Sequence, residues 1–302
     1  MKTRNLGTTG MMVSEIGFGA LEIGRDWAQD VNTNFAHLTQ KEATTLLNKV
    51  LDNGINFIDT APAYWFSEEY IGKALKTRRD EFYLATKVGE YCDKNGSVFD
   101  YSYSATLKFI DSSLQKLQTD HIDLIQIHSA SKQVLEDGDV MRAMFAAKQA
   151  GKVLHIGMTG GVEECCLAIR LGGYETIQVP FNMLTPQALK VLFSLAKDHQ
   201  VGVIIMRSLA GGKLTRKYEA LKDEAVKAQI AKLDNLATEA ADVKSLAHLA
   251  IAFVMNQEAV STAIIGTRNA KTLEENIELS KCPVSQETLD KAMAIINQSP
   301  LL

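Results

Sequence analysis

The chain has 302 residues, of which 46% are hydrophobic, so it can bury a large core as one α/β barrel or as two ordinary domains. The net charge is -4 and lysines and glutamates are interspersed, so there is no basic stripe and we expect no nucleic-acid partner. We find no charged-then-apolar leader and no apolar run near the ~18 residues of a membrane span, and therefore expect a soluble, cytoplasmic protein without a membrane partner.

The first predicted elements are a β-hairpin and a strand. Residues 7–10 turn between short extended pieces, residues 13–16 form the second arm of the hairpin, and residues 16–20 follow as the first strand of a sheet. Residues 27–39 are predicted to form a polar loop. Residues 40–53 have apolar side chains at helical spacing, which predicts a helix.

From residue 55 onwards, short β-rich apolar runs alternate with segments of helical spacing, a pattern that is typical of parallel βαβ units. With the first strand, the count reaches eight strands, and no linker interrupts them, so we expect one domain over residues 1–302. The later strands are predicted at residues 55–58, 82–86, 122–127, 153–156, 176–179, 201–205 and 262–265, and helices at 68–76, 103–117, 134–150, 163–171, 186–198, 243–255 and 271–279. Two further helical segments are predicted, a charged and solvated one at 218–238 and a final one at 286–297.

Polar side chains stand at the C-terminal ends of three successive predicted strands. Asp59 and, after a turn, Tyr64 follow the first of them. Lys87 follows the second strand and His128 follows the third. Each residue alone is more often a cap, a rim residue or a structural histidine. Because the carboxyl ends of parallel strands face the functional site, the four together instead predict an active site.

These four residue types are suited to proton transfer. A tyrosine has an unperturbed pKa near ~10, and a nearby ammonium lowers that pKa by stabilising the phenolate. We expect Lys87 to supply this ammonium and Asp59 to keep it charged. Tyr64 would then be the general acid or base, and His128 would orient a substrate carbonyl or share the proton.

The order and placement of Asp59, Tyr64, Lys87 and His128 resemble the catalytic tetrad of the aldo-keto reductases, and the resemblance covers essentially the whole chain. It implies a (β/α)8 TIM barrel with an N-terminal β-hairpin at its bottom and two extra helices. It also implies an NAD(P)-dependent oxidoreductase that moves hydride between the nicotinamide and the carbonyl or alcohol carbon of a small aldehyde, ketone or aldose. The segments FDYS at 99–102 and GMTGG at 157–161 are similar to the branch that includes galactose, fucose and pyridoxal dehydrogenases.

The phosphates of the cofactor are expected at the loops after the last two strands. No GxGxxG segment opens a helix after the first strand, which argues against a Rossmann domain. Barrels usually hold phosphate after strands seven and eight, where this chain reads MRSLAGGKL and IGTRNAKTLEEN. Gly266, Thr267 and Arg268 run into a predicted helix whose N-terminal amides could meet an anion.

The resemblance also implies contacts for the rest of the cofactor. Gln178 would hold the nicotinamide carboxamide, and Glu275 with Asn276 would hold the adenine. The full set of implied cofactor-binding residues is Ala20, Asp59, Tyr64, Thr159, Gln178, Met206, Arg207, Leu209, Gly211, Gly266, Thr267, Arg268, Glu275 and Asn276.

Three positions depart from the family pattern on this side. Thr159 stands where the family carries a serine, and Gly160 stands where it carries the asparagine partner of that serine. Met206 replaces an aromatic residue that commonly stacks on the nicotinamide, and its polarisable side chain can cover a ring face less rigidly.

The expected cofactor is NADP, with NAD still usable. The guanidinium of Arg268 can pair with the 2′-phosphate of NADP and stack on the adenine. Many NADP-specific members of the family carry a lysine where this chain has Gly266, so a second cation is missing unless Lys271 turns inward.

The pocket for a small carbonyl or sugar substrate is expected to have aromatic walls suited to a sugar ring or an aromatic aldehyde. Its predicted residues are Trp27, Trp65, Tyr91, Phe99 and His128.

Two other functions stay open at this level: a non-catalytic barrel subunit that binds the cofactor, and a lyase that forms a Schiff base on Lys87. Charged Asp59 opposes the second because that chemistry needs a neutral amine. The cysteines follow no metal-binding spacing, so we expect reduced thiols and no metal site; they are Cys92, Cys165, Cys166 and Cys282.

Overall fold

Eight strands form a closed barrel in the computed structural model, which describes residues 1–25, 37–93 and 96–298. The strands are β1 (Thr3–Asn5), β2 (Met12–Ser14), β3 (Ile16–Gly19), β4 (Phe57–Asp59), β5 (Tyr83–Val88), β6 (Glu90–Asp93), β7 (Gly96–Phe99), β8 (Ile122–His128), β9 (Val153–Thr159), β10 (Thr176–Pro180), β11 (Gly202–Met206) and β12 (Val260–Ile265). The order around the barrel is β3-β4-β5-β8-β9-β10-β11-β12, with β12 beside β3 and every neighbouring pair parallel. The predicted (β/α)8 barrel is therefore confirmed.

Helices follow the barrel strands along the chain. They are α1 (Leu21–Gly24), α2 (Gln40–Asp52), α3 (Ser67–Leu75), α4 (Tyr103–Leu117), α5 (Lys132–Asp137), α6 (Asp139–Gln149), α7 (Val162–Leu171), α8 (Leu192–Asp198), α9 (Glu224–Glu239), α10 (Leu246–Met255), α11 (Ala270–Ser280) and α12 (Gln286–Gln298). Helix α9 precedes the crossover helix α10, and α12 follows α11, so these two are the helices added to the barrel repeat.

Helix α2 illustrates how the sequence forms the outer layer. The side chain of Thr39 accepts a hydrogen bond from the backbone N–H of Glu42, and the Glu42 carboxylate accepts one from the backbone N–H of Thr39 at 2.8 Å. This capping box fixes the first turn. The helix then buries one apolar stripe, formed by Ala43, Leu46, Leu47, Val50 and Leu51.

The N-terminal hairpin closes the bottom of the barrel. Strands β1 and β2 pair antiparallel, and the hairpin contributes Leu6, Met11 and Val13 to a buried apolar cluster. The barrel strands contribute Phe57 and Leu124, among others, to the same cluster. Because apolar side chains fill this end, we expect a ligand site at the opposite end of the barrel.

The strand register brings polar side chains to that opposite end. Lys87 of β5 lies beside Gln126 of β8, and His128 of β8 lies beside Thr159 of β9. Gln178 of β10 is paired with Thr159 in turn. All are near the carboxyl ends of parallel strands, so their side chains share one rim.

Two predicted helices are interrupted in the structure. The single helix predicted at 134–150 is wrong, because Gly138 adopts a left-handed backbone (φ 74°) that ends α5 and starts α6. The helix predicted at 186–198 is a 3₁₀ turn, Gln187–Leu189, followed by the shorter α8. The antiparallel hairpin of β6 and β7 was not predicted.

Some features are absent from the described part of the chain. No helix there is long and apolar enough to cross a membrane. Within the same ranges, no group of three or more His, Cys, Asp and Glu side chains is placed to hold a metal ion. The four cysteines all lie in these ranges and form no disulfide.

Candidate active site

A cleft of about 1200 Å³ opens at the carboxyl ends of the barrel strands. Its walls include Asp59, Tyr64 and His128 on one side and the loops after β11 and β12 on the other. A cavity of this size at this end of a barrel is where small molecules bind in such folds.

A buried ion pair forms the floor of the cleft. Nζ of Lys87 lies 2.6 Å from Oδ2 of Asp59 and donates a second hydrogen bond, at 2.9 Å, to the carbonyl oxygen of Thr60. Both side chains are 1% exposed. Oδ1 of Asp59 accepts hydrogen bonds of 2.9 Å from the side-chain amides of Gln126 and Gln178. Each oxygen of this buried carboxylate therefore has at least one hydrogen-bond partner within the protein.

Tyr64 lies directly above this ion pair. It ends the short 3₁₀ segment Pro62–Tyr64, and Nζ of Lys87 lies 4.9 Å from the centroid of its ring. Burial raises the pKa of Tyr64, and although the Lys87 ammonium works to lower it, the pKa stays above its usual value. The expected net lowering is therefore not found, because burial outweighs the ammonium. The phenol keeps its proton at neutral pH, as a proton donor must.

Lys87 remains charged in its buried position. Burial works to lower the pKa of Lys87, but the charge of Asp59 and the hydroxyl of Tyr64 together outweigh it, and the pKa is raised. A Schiff-base lysine needs the opposite, a free amine at neutral pH. The geometry therefore favours an electrostatic role over a nucleophilic one.

His128 faces Tyr64 across the cleft. The two rings meet edge to face, with their centroids 6.0 Å apart. Nδ1 of His128 lies 2.8 Å from Oε2 of Glu90, although the two groups are not aligned as a hydrogen bond. The hydroxyl of Tyr101 donates to the backbone carbonyl of His128 at 2.6 Å and fixes the end of β8.

The residues expected at the nicotinamide are arranged to receive an amide. Oε1 of Gln178 accepts a hydrogen bond from the hydroxyl of Thr159 at 3.0 Å, and its Nε2 donates to Asp59. A side-chain amide has two N–H groups and two acceptor lone pairs, so one of each remains for a ligand. Sδ of Met206 lies 4.0 Å from the Thr159 hydroxyl and borders the same part of the cleft.

The far end of the cleft carries the expected phosphate loops. Gly211 has a left-handed backbone (φ 68°) in the loop after β11. A Cβ on Gly266 would lie 3.0 Å from the carbonyl oxygen of Gly19, a tighter contact than most side chains make, so a larger residue here would require the backbone to shift slightly. Asn269 caps α11, and its side chain already accepts from the N–H groups of Lys271 and Thr272. The amides of this helix that were expected to meet an anion are thus largely occupied.

Most of the implied cofactor-binding residues line the cleft: Asp59, Tyr64, Thr159, Gln178, Met206, Arg207, Leu209, Gly211, Gly266, Thr267, Arg268, Glu275 and Asn276. Ala20 does not, because it is fully buried with its N–H bonded to Asp59 and its carbonyl to Ser67.

The predicted aromatic wall is only partly present. Phe99 lines the cleft together with His128. Tyr91 is 47% exposed and lies outside the cleft, because side chains alternate along β6 and its neighbour Glu90 points inward. Trp65 packs against Ala61, Ala63 and Cys92 and does not line the cleft. Trp27 lies outside the described residues.

Sequence reasoning missed three polar residues of the site: Glu90, Gln126 and Arg25. Glu90 and Arg25 line the cleft, and Nη1 of Arg25 donates to the carbonyl oxygen of Ala63 at 3.3 Å. Gln126 had a detectable signal, since it precedes His128 by two residues and a strand puts such residues on one face. The other two lie in loops or hairpins, where spacing carries no such signal.

Comparison with known proteins agrees with this geometry. The sequence profile of the Aldo/keto reductase family matches residues 15–297. Aldo-keto reductase YhdN of Bacillus subtilis (strain 168) is 30% identical, and the match covers 95% of this chain and 91% of that protein. L-galactose dehydrogenase of Arabidopsis thaliana is 29% identical, and the match covers 98% of this chain and 94% of that protein. Among solved structures, the holo form of aldo-keto reductase AKR11C1 from Bacillus halodurans has a TM-score of 0.83 at 27% identity. The match covers 98% of this chain and 96% of that one.

The family profile spans nearly the whole chain, and the relatives align from end to end with it. The whole sequence and the barrel therefore indicate the same family as the four residues near the strand ends. The chain belongs to the aldo/keto reductase family, and it is an oxidoreductase that uses a nicotinamide cofactor to interconvert carbonyl and alcohol groups of small molecules.

Proposed function

We propose that the protein is an NADP-preferring reductase or dehydrogenase of small aldehydes, ketones or aldoses in which Tyr64 transfers the proton. The bound nicotinamide supplies or accepts the hydride. Tyr64 gives its proton to the carbonyl oxygen in reduction and takes one back in oxidation, while His128 orients that oxygen. Lys87 and Asp59 set the charge beneath the phenol.

The observation that carries this proposal is the buried Lys87–Asp59 pair, 2.6 Å apart, directly under the Tyr64 ring. A desolvated ion pair is costly to bury, and a fold that needed only stability would do as well with apolar residues. Its position beneath a neutral phenol in an open cleft supports a role in proton transfer.

The proposed preference for NADP rests on Arg268, which lines the cleft. It is expected to be modest for two reasons. Lys271 is 83% exposed at its side chain, its Nζ lies 3.9 Å from Oε1 of Glu275, and it does not line the cleft. The carboxylate of Glu22 lines the same region and interacts with the charge of Arg268, which disfavours a further anion there.

The Arg268→Ala variant is expected to bind NADPH about one to two powers of ten more weakly, because a charge-assisted contact contributes roughly 1.5–3 kcal/mol. NADH lacks the 2′-phosphate and should lose much less. Dissociation constants for both cofactors at one fixed salt concentration check this. Lys271→Ala is the matched control and should change neither constant appreciably. Equal weakening of NADPH and NADH in Arg268→Ala would contradict the phosphate contact.

Activity is tested with a panel of aldehydes and ketones with NADPH, and of aldoses with NADP or NAD, followed at the nicotinamide absorbance. We expect turnover of at least one class. Tight cofactor binding without any turnover would instead support the non-catalytic barrel subunit. Trapping of a substrate adduct on Lys87 by borohydride would support the Schiff-base lyase.

The single domain over residues 1–302 and the cytoplasmic location stay predictions.

A further inference from the structure

His128 is paired with a carboxylate that the proposed mechanism does not use. Glu90 begins the β6–β7 hairpin and brings Oε2 to 2.8 Å from Nδ1 of His128. The two side chains are only 13% and 11% exposed. From the opposite strand of the hairpin, the hydroxyl of Ser97 donates to Oε1 of Glu90 and holds the carboxylate in place. This arrangement makes a histidine–carboxylate pair at the edge of the cleft.

The carboxylate of Glu90 is ionised at neutral pH. Burial works to raise the pKa of Glu90, but the contacts with His128 and Ser97 outweigh it, and the pKa is lowered. An ionised carboxylate accepts hydrogen bonds and donates none. A neutral imidazole carries one proton. The carboxylate 2.8 Å from Nδ1 attracts that proton to Nδ1 through its charge, although the two groups are not aligned as a hydrogen bond, and the lone pair is then left on Nε2.

Nε2 is the ring nitrogen that a ligand can reach. Nδ1 is fully buried against Glu90, whereas the ring of His128 borders the cleft opposite Tyr64. We infer that Glu90 is a positioning residue that keeps the proton of neutral His128 on Nδ1, so that Nε2 accepts the hydroxyl hydrogen of an alcohol substrate. A carbonyl oxygen can only accept a hydrogen bond, so a carbonyl substrate requires the doubly protonated ring of His128, in which Nε2 also carries a hydrogen. This inference rests on the proposed function of the cleft.

The proton balance follows from this arrangement. In oxidation, a bound nicotinamide would accept the hydride from the carbinol carbon, and the hydroxyl O–H bond breaks with its proton passing to Nε2 of His128. Tyr64 gives its own proton to the same oxygen as Nε2 takes the hydroxyl proton, and takes one back as the hydride leaves, so it is a phenol again at the end of the cycle. Glu90 faces the imidazolium that forms. In reduction, Tyr64 gives its proton to the oxygen and recovers one from the imidazolium through the new hydroxyl group.

Other charged groups also act on this pair. Burial has the largest effect on the pKa of His128 and lowers it, Lys87 lowers it further, and Glu90 and Asp59 raise it, with a net lowering. The charge of Arg25, just after α1, helps to lower the pKa of Glu90. The ring is therefore neutral at neutral pH, with the tautomer set by Glu90, and the cleft is suited to holding an alcohol.

The first test needs no turnover. Nitrogen-15 NMR of the cofactor-free protein reports the tautomer and titration of each histidine, and the spectrum of His128→Asn assigns the signal. We expect the Nδ1–H tautomer in the wild type. In Glu90→Gln the pKa of His128 should fall by about one unit, because an opposite charge is lost. In Glu90→Asp the charge remains, so the pKa of His128 should stay close to its wild-type value. An Nε2–H tautomer in the wild type, or an unchanged pKa in Glu90→Gln, would overturn the inference.

The second test is the pH dependence of kcat/KM in both directions. A pKa about one unit lower makes the imidazolium about tenfold rarer at neutral pH, so Glu90→Gln should reduce carbonyls about tenfold more slowly there. The overall equilibrium fixes the ratio of the two directions, so oxidation should fall by the same factor. Below the pKa of His128, reduction should recover to the wild-type level. A loss of reduction that is equal at every pH would mean that Glu90 serves only the structure of the pocket.

The two tests separate this inference from the proposed function. If no carbonyl or alcohol is turned over but the NMR result is as expected, the oxidoreductase proposal fails while the placement of the proton by Glu90 stands. If turnover is found but the Nδ1–H tautomer is absent, or the pKa of His128 does not change in Glu90→Gln, the inference fails and the proposed function stands.

Discussion

The Tyr64→Phe variant is expected to lose turnover by about 10²–10⁴-fold, which is the usual contribution of a positioned general acid. The change removes the transferable proton and little volume, and the Lys87–Asp59 pair beneath the ring keeps its hydrogen bonds to Thr60, Gln126 and Gln178. Binding of the cofactor should therefore change little. Initial rates at the nicotinamide absorbance, together with a cofactor titration, check both parts.

A second phenol of the same region serves as the control. The hydroxyl of Tyr101 bonds to the backbone of His128, and Tyr101 does not line the cleft. Tyr101→Phe loses one hydrogen bond of about 1 kcal/mol, so its effect on turnover should stay below about tenfold. If Tyr64→Phe were no worse than Tyr101→Phe, the proton would have to come from another group.

The barrel and the rim of the site could be predicted because both follow from local patterns. Strand runs of three to seven residues between amphipathic helices define parallel βαβ units, and parallel strands bring their carboxyl ends to one rim. Asp59 and His128 end their strands and Lys87 is the last residue but one of its strand, so their proximity needed no knowledge of loops. The same argument applies to Gln126, because a polar side chain two residues before the end of an otherwise apolar strand is expected on the same face as His128.

Glu90 and the hairpin that carries it could not be reached by the same route. Its importance comes from contact with His128, 38 positions later in the chain, and only the folded barrel brings the two together. The hairpin itself had a local signal, an Asn-Gly dipeptide at 95–96 that is typical of a tight turn. Recognising it would have shown that Tyr91 follows Glu90 in alternation and therefore faces away from the cleft.

The direction in which the pKa of Tyr64 is shifted could not be predicted from the sequence either. The residue types correctly indicated that Lys87 lowers it, but burial of the phenol acts in the opposite direction and prevails. The extent of burial depends on how Pro62–Tyr64 seats the ring against the barrel, which no spacing in the sequence encodes. When burial and a neighbouring charge act on one pKa in opposite directions, the folded structure is needed to tell which prevails.

The Lys87→Met variant is expected to lose both activity and stability. Without the ammonium, the pKa of Tyr64 should rise further, since Lys87 is the group that lowers it, and the limb of the pH profile that belongs to Tyr64 should move to higher pH. The carboxylate of Asp59 would also stay buried with only the amides of Gln126 and Gln178 as partners. Removing one member of a buried ion pair typically costs about 3–5 kcal/mol in the free energy of unfolding.

Adding Asp59→Asn to Lys87→Met separates the two losses. The asparagine oxygen can still accept from Gln126 and Gln178, and no uncompensated charge remains, so most of the free energy of unfolding should return. Turnover should not return, because neither residue can then hold charge beneath Tyr64. Urea unfolding and initial rates of the two single variants and the double variant measure this. If the double variant were as unstable as Lys87→Met, packing rather than the stranded charge would explain the instability; if it were active, the ion pair would not be part of the proton-transfer machinery.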